Sequence, residues 1–160
     1  AGIFELEDSL SLDIDSVRIE GEGMNQTILS FKNQQSGAQG LSVTSDNVTL
    51  QDFAVQDAKG DAIKVKGVTN IKFLRVKTEW TNGPSSSNGA YGLYPVESQN
   101  VLIDGCVAIA LQMLEFMLVN RKILSLEIVV PNSMWLGLKL KILTTLMCIT
   151  TSQQTILVVS

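Results

Sequence analysis

Short apolar segments recur with one internal pattern between residues 41 and 109. In each copy an asparagine precedes an alternation of apolar and polar residues, as in Asn47-Val48-Thr49-Leu50. The next copies begin at Asn70 and Asn100, which lie 23 and then 30 residues further along the chain. An alternation with a period of two predicts a β-strand that buries one face. The pattern therefore predicts three equivalent strands, one in each repeat.

The repeat length indicates how these strands are arranged. A weaker fourth copy, Ser16-Val17-Arg18-Ile19, begins 31 residues before Asn47. Repeats of this length are typical of solenoids, in which each repeat stacks on its neighbour. A leucine-rich repeat would need a dense leucine consensus, whereas these strands are β-branched and broken by Gly, Asn and Asp. We therefore predict an all-β parallel β-helix of about four coils, stacked about 4.8 Å apart.

The alignment also predicts which side chains lie inside each coil. Alternate residues of a strand face the same side, and a change of phase within each repeat predicts a bend between two strands of one coil. The asparagines Asn47, Asn70 and Asn100 would stack at another corner as a structural ladder, because asparagine tolerates unusual backbone angles there. The predicted interior columns are Leu50, Phe73 and Ile103; Phe53, Val76 and Cys106; and Val55, Thr78 and Ala108.

These repeats carry a resemblance to a known family. The segment SVRIEGEGMNQTILSF resembles the opening coil of pectin lyase-like β-helices, and NVTLQDFAV, NIKFLRVK and NVLIDGCVAI resemble their successive coils. GAYGLYPVESQNVLIDGCVAI is similar to exported bacterial parallel β-helix repeat proteins. The resemblance covers residues 2–109 and implies a right-handed coil in an exported protein, periplasmic or at the cell surface. Since AGIFELEDSLSL begins within the pattern, we expect the natural N-terminus upstream of Ala1.

The composition changes abruptly after Ile109. Residues 1–109 contain 11 of the 12 glycines, whereas residues 110–160 are rich in leucine and methionine. A genuine apolar C-terminal element that packs on the last coil is one explanation. The other is a lost nucleotide before the Ala110 codon, because the shifted codons of LQMLEFMLVNRKILSLEI permit SSDAGIYVGQSQNIIVRNS, another coil-like sequence. We interpret residues 1–109 as β-helix coils and residues 110–160 as an apolar tail translated out of frame.

Charge and residue usage exclude several functions. The chain has 12 Lys and Arg against 16 Asp and Glu, with no basic stripe, so we expect no nucleic-acid partner. Histidine is absent, which excludes His-dependent catalysis and His-ligated metal. The two cysteines lack metal or redox spacing. Charged residues interrupt the apolar tail, so we expect no membrane span.

Two groups of charged residues are candidate chemical sites. Asp52 and Arg75 occupy equivalent positions of adjacent repeats, so they would stack as an ion pair or, alternatively, as a site for a substrate carboxylate or a metal. Asp57 and Asp61 flank the turn at Gly60, where either a calcium site or a solvated turn would fit. Neither group places a full ligand set, so the sequence predicts no catalytic residue, metal or cofactor.

The segment from Glu79 to Tyr91 is longer than the corresponding turn of the preceding repeat, and a loop that projects from a regular scaffold often carries binding residues. Aromatic faces can stack on sugars, and amide and carboxylate groups can bind their hydroxyls. The alternative is that the aromatic residues only pin the loop to the coil. The candidate binding residues are Glu79, Trp80, Asn82, Asn88, Tyr91 and Tyr94.

We therefore expect a non-catalytic scaffold that binds a polysaccharide or a partner protein. The alternative is a fragment of a polysaccharide lyase or glycoside hydrolase of the pectin lyase-like fold. That enzyme class displays carboxylates, or basic residues with a metal, on one sheet face, and the matching Asp motifs are missing here.

Overall fold

The computed structural model describes residues 1–83 and 85–109, together with four short strands nearer the C-terminus. In chain order the strands are β1 (Gly2–Glu5), β2 (Leu10–Leu12), β3 (Arg18–Glu20), β4 (Thr27–Ser30), β5 (Leu41–Val43), β6 (Thr49–Gln51), β7 (Ala54–Gln56), β8 (Ile63–Lys66), β9 (Thr69–Leu74), β10 (Lys77–Glu79), β11 (Leu93–Val96), β12 (Gln99–Asp104), β13 (Val107–Ile109), β14 (Leu126–Ile128), β15 (Leu140–Ile142), β16 (Ile149–Thr150) and β17 (Thr155–Ile156).

The strands up to residue 109 form three parallel sheets in which every third strand pairs. Sheet A has the order β1-β4-β7-β10-β13, sheet B β11-β8-β5-β2 and sheet C β12-β9-β6-β3. Each coil therefore contributes one strand to each sheet, and the next coil repeats the same three strands. Four coils are complete, and β1 adds a fifth strand to sheet A. The predicted all-β parallel solenoid of about four coils is confirmed.

The register of the sheets matches the repeat found in the sequence. Leu50 of β6 pairs with Phe73 of β9, and Phe73 pairs with Ile103 of β12. Arg18 of the weak copy pairs with Thr49, as its 31-residue offset requires. All nine residues of the predicted interior columns are buried, with exposed fractions between 0% and 5%. The interior is thus a stack of equivalent apolar layers, and its burial is the main stabilising contribution.

Left-handed backbone angles turn the chain at the corners between sheets. Asn47, Asn70 and Asn100 have φ of 58°, 63° and 52°. Their amides are joined across the coils: Nδ2 of Asn70 donates to Oδ1 of Asn47, and Nδ2 of Asn100 donates to Oδ1 of Asn70, each at 2.9 Å. Asparagine suits this corner because its short amide tolerates φ above zero and can bond to the same residue of the neighbouring coil.

Replacing Asn70 separates these two contributions. Alanine removes both side-chain hydrogen bonds and keeps a Cβ at a left-handed position without the polar group that lets asparagine tolerate it, so we expect Asn70→Ala to lower the free energy of unfolding by about 1–2 kcal/mol. Asn70→Gly also removes the amide but keeps the backbone angle, and should lose less. Urea denaturation of both variants measures the difference. Equal losses would show that the amide ladder, rather than the φ of 63°, dominates.

The tail has a different kind of pairing where it is described. Strand β14 pairs with β15 and β16 with β17, and both pairs are antiparallel. The remainder of residues 110–160 lies outside the described residues, so the out-of-frame interpretation stays a prediction. Sequencing the coding DNA tests it: we expect the plus-one frame after Ile109 to continue the Gly- and Asn-rich repeat. Stop codons in that frame would contradict the interpretation.

Candidate functional site

The exterior of sheet B carries the aromatic part of the candidate site. Tyr94 lies in β11 and pairs with Lys64 of β8, while the neighbours of both along the strands point into the core. The ring of Tyr91 stacks on that of Tyr94, with centroids 4.6 Å apart and planes at 24°. Nζ of Lys64 lies 5.5 Å from the centroid of Tyr94, within range of a cation–π interaction. Both rings are partly exposed, so they form an aromatic surface on the outside of the coil.

Asp61 completes this group from the preceding coil. Its carboxyl is partly buried, and burial raises its pKa above the ordinary value. The positive charge of Lys64 and a hydrogen bond from the backbone N–H of Tyr91 act in the opposite direction and favour the ionised form. Neighbouring coils thus bring together a carboxyl group, an ammonium group and two phenol rings, which belong to Asp61, Lys64, Tyr91 and Tyr94. We refer to these four residues as the tyrosine patch.

The raised pKa of Asp61 predicts how stability depends on pH. A carboxyl whose pKa is higher in the folded chain contributes stability that is fully present below its unfolded pKa, about 3.9, and is lost as the pH rises through the folded value. Asp61→Asn stays neutral and can still accept the Tyr91 hydrogen bond. We therefore expect the variant to be more stable than the parent chain at pH 7, with the gap closing towards pH 3. Urea unfolding across this range measures the gap, and one that widens in acid would refute the assignment.

Trp80 lies inside the structure, with 5% of its surface exposed. Its indole Nε1 donates a hydrogen bond to the carbonyl oxygen of Ala58 at 2.8 Å. A methyl group at Gly89 would overlap the carbonyl of Gly60 and crowd the Trp80 ring, so the end of the insertion lies directly on both. This placement gives Trp80 the anchoring role that was the alternative to ligand stacking.

Two of the polar candidates in the insertion bond to other protein groups, and the third is exposed to solvent. Glu79 lies in β10 and its carboxylate accepts from Nε2 of Gln56 at 2.9 Å and pairs with Lys77 at 2.7 Å. Nδ2 of Asn88 donates to the carbonyl of Gly83 at 2.8 Å and so closes the loop on itself. Asn82 is exposed at the turn. Of these polar side chains, Asn82 is the one placed towards solvent as a ligand contact would require.

Asp52 and Arg75 form the ion pair that their equivalent positions predict. Nε and Nη2 of Arg75 donate to the two carboxylate oxygens at 2.6 and 2.7 Å, and Nε2 of Gln51 donates to the same carboxylate at 2.7 Å. The hydrogen bonds from Arg75 and then from Gln51 hold the pKa of Asp52 below its usual value. Since Arg75 is 49% exposed, solvent screens the pair, and its contribution to stability is small.

The turn at Gly60 does not assemble a cation site in the described structure. Both carboxylate oxygens of Asp57 accept hydrogen bonds from Thr81, one from its backbone N–H at 2.7 Å and one from its hydroxyl at 2.8 Å. Asp57 therefore caps the start of the insertion, while Asp61 belongs to the tyrosine patch. Within the described residues no group of three or more His, Cys, Asp or Glu side chains is arranged to hold a metal ion.

Cys106 occupies an interior position of the last described coil. It is 1% exposed, and burial raises the pKa of its thiol to about 11. Because the thiolate is the nucleophilic form, a buried thiol of this kind is unreactive near neutral pH. The packing role expected from its column therefore agrees with its surroundings.

Sequence reasoning overlooked Lys64 and Asp61 as members of this candidate surface. The repeat contains the missing signal, because an offset of 30 residues places Asp61 beside Tyr91 and Lys64 beside Tyr94. Extending the same register outward identifies the tyrosine patch.

Across residues 1–83 and 85–109 and the four short strands, no helix has the length and apolarity needed to cross a membrane. Comparison of the chain with protein-family models, with curated proteins and with solved structures found no match.

Proposed function

We propose that this protein is a non-catalytic carbohydrate-binding scaffold, and that the tyrosine patch contacts the sugar. The observation that carries the proposal is the partly exposed stack of Tyr91 and Tyr94 on the outside of a regular sheet. Aromatic side chains offer flat apolar faces with a polar edge, which suits the mixed surface of a sugar ring. Lys64 lies beside the Tyr94 ring and can donate to sugar hydroxyls, and the Asp61 carboxylate, bonded to the Tyr91 backbone, can accept from them.

A carbohydrate suits this patch better than a folded protein. A stable protein interface buries roughly 800 Å² on each partner and has an apolar core. Here the aromatic surface consists of two partly exposed rings flanked by charged side chains. A sugar needs a small platform with a few polar groups, which is the size and chemistry that the patch offers.

The charged groups elsewhere support a non-catalytic role. General acid–base cleavage of a glycoside uses two carboxyl groups that face the same bond. Asp52 is held by Arg75 and Gln51, and Asp57 is held by Thr81. Each carboxylate therefore has a structural partner.

Kinship with the pectin lyase-like β-helices and export to the periplasm or cell surface belong to the same proposal. The parallel three-sheet coil and the asparagine ladder support this kinship. Export follows from the sequence resemblance, and a scaffold that binds polysaccharide would meet its ligand outside the cytoplasm.

A glycan array followed by calorimetric titration of the hits tests the binding function. We expect the chain to bind at least one glycan, and Tyr94→Ala to weaken that binding about tenfold, which corresponds to the loss of about 1.4 kcal/mol. The matched control is Lys72→Ala on the exterior of sheet C, which should leave the affinity unchanged. Unchanged binding by Tyr94→Ala would remove the patch from the proposal.

Turnover is measured on the same glycans by the release of new chain ends. We expect none. Product formation that is lost in Arg75→Ala would instead favour a lyase or hydrolase that acts at the Asp52–Arg75 corner.

A further inference from the structure

The chain contains two tyrosines, and the fold holds them against each other. Their ring centroids are 4.6 Å apart, close to the shortest separation of stacked aromatic pairs. The backbone fixes the stack at both ends: the carbonyl of Tyr91 accepts the N–H of Ala62 at 2.9 Å, and Tyr94 lies within β11. Both rings are partly exposed, so a small oxidant in solution can reach them.

We propose that Tyr91 and Tyr94 form a site of oxidative modification, at which a one-electron oxidant joins the two rings as dityrosine. Each phenol loses one electron to the oxidant and its hydroxyl proton to water, which leaves two phenoxyl radicals. One carbon–carbon bond then forms between ring carbons ortho to the oxygens. The two ortho hydrogens move to the oxygens and restore both hydroxyls. The net change is the removal of two electrons and two protons.

The surroundings favour coupling within the pair. The Trp80 indole, another oxidisable group, is 5% exposed and bonded to Ala58, so it is shielded from an oxidant in solution. The cross-link would tie the end of the insertion at Tyr91 to the sheet at Tyr94. It would also fix the two rings of the tyrosine patch in one covalent unit, independently of whether the patch binds a sugar.

Photo-oxidation with a ruthenium trisbipyridyl complex and persulfate tests the site on the whole chain. We expect dityrosine fluorescence in the monomer, in a yield that does not depend on protein concentration. Peptide mapping should place the link between Tyr91 and Tyr94, and Tyr91→Phe should lose the monomer signal. Because the two residues are three positions apart, the chain unfolded in concentrated urea is the control and should give a lower initial yield. Dityrosine confined to covalent dimers, or a native yield no higher than the unfolded one, would overturn the proposal.

Discussion

Replacing Phe73 by alanine is expected to lower the free energy of unfolding by about 3–5 kcal/mol. Phe73 has no exposed surface and lies between Leu50 and Ile103 in the interior column of sheet C. Removing the ring loses its burial and leaves a cavity that the coils above and below cannot fill, because their backbones are fixed by the parallel hydrogen bonds. Urea denaturation followed by circular dichroism measures the loss.

The neighbouring residue provides the control for this substitution. Lys72 lies on the same strand but faces solvent. Lys72→Ala should change the free energy of unfolding by less than about 0.5 kcal/mol. Similar losses for Phe73→Ala and Lys72→Ala would mean that the two faces of β9 are not distinguished, which contradicts the assigned interior.

Replacing Trp80 by alanine is the second change with a large expected effect. Its ring is buried, supports the end of the insertion near Gly89 and bonds to Ala58. We expect the free energy of unfolding to fall by about 3–5 kcal/mol, as for other large buried aromatic residues. Limited proteolysis should cut Trp80→Ala within residues 81–90 faster than the parent chain, because the loop loses its anchor.

Two further variants separate anchoring from ligand contact at the insertion. Trp80→Phe keeps an aromatic ring but leaves the Ala58 carbonyl without its donor, so it should cost about 1–3 kcal/mol. Asn82→Ala alters an exposed side chain of the same loop and should leave stability and cleavage unchanged. If Trp80→Ala preserved stability and abolished only glycan binding, Trp80 would be a ligand contact and its anchoring role would be wrong.

The interior of this fold could be predicted because the coils repeat. A parallel coil places equivalent residues one above another, so an alignment of three short segments identifies the column of Leu50, Phe73 and Ile103. The same logic brings Asp52 onto Arg75 and Asn70 onto Asn47. Short-range periodicity alone would give strands without saying which of them pair. The repeat offset supplies that information.

The site was harder to predict because insertions do not repeat. The sequence shows that Trp80 follows β10, but not that its ring turns inward to meet Ala58 of the preceding coil. The glycines at 60 and 89 let the successive turns approach closely because they lack side chains, and a methyl group at 89 would crowd this ring. Likewise, the contact between Tyr91 and Tyr94 depends on the path by which the insertion rejoins the sheet. A loop of this kind has no second copy with which to compare it.

Nuclear Overhauser effects between the asparagine side chains test the stacked coil most directly. In a chain labelled at asparagine, the Asn70 side-chain amide should show contacts with both Asn47 and Asn100, because the three amides form one hydrogen-bonded ladder. Residues 23 and 30 positions away would be in contact, while Asn47 and Asn100 would not touch each other. Strong Hα–Hα contacts between neighbouring strands, the mark of antiparallel pairing, together with no contact between the asparagines, would contradict the parallel solenoid.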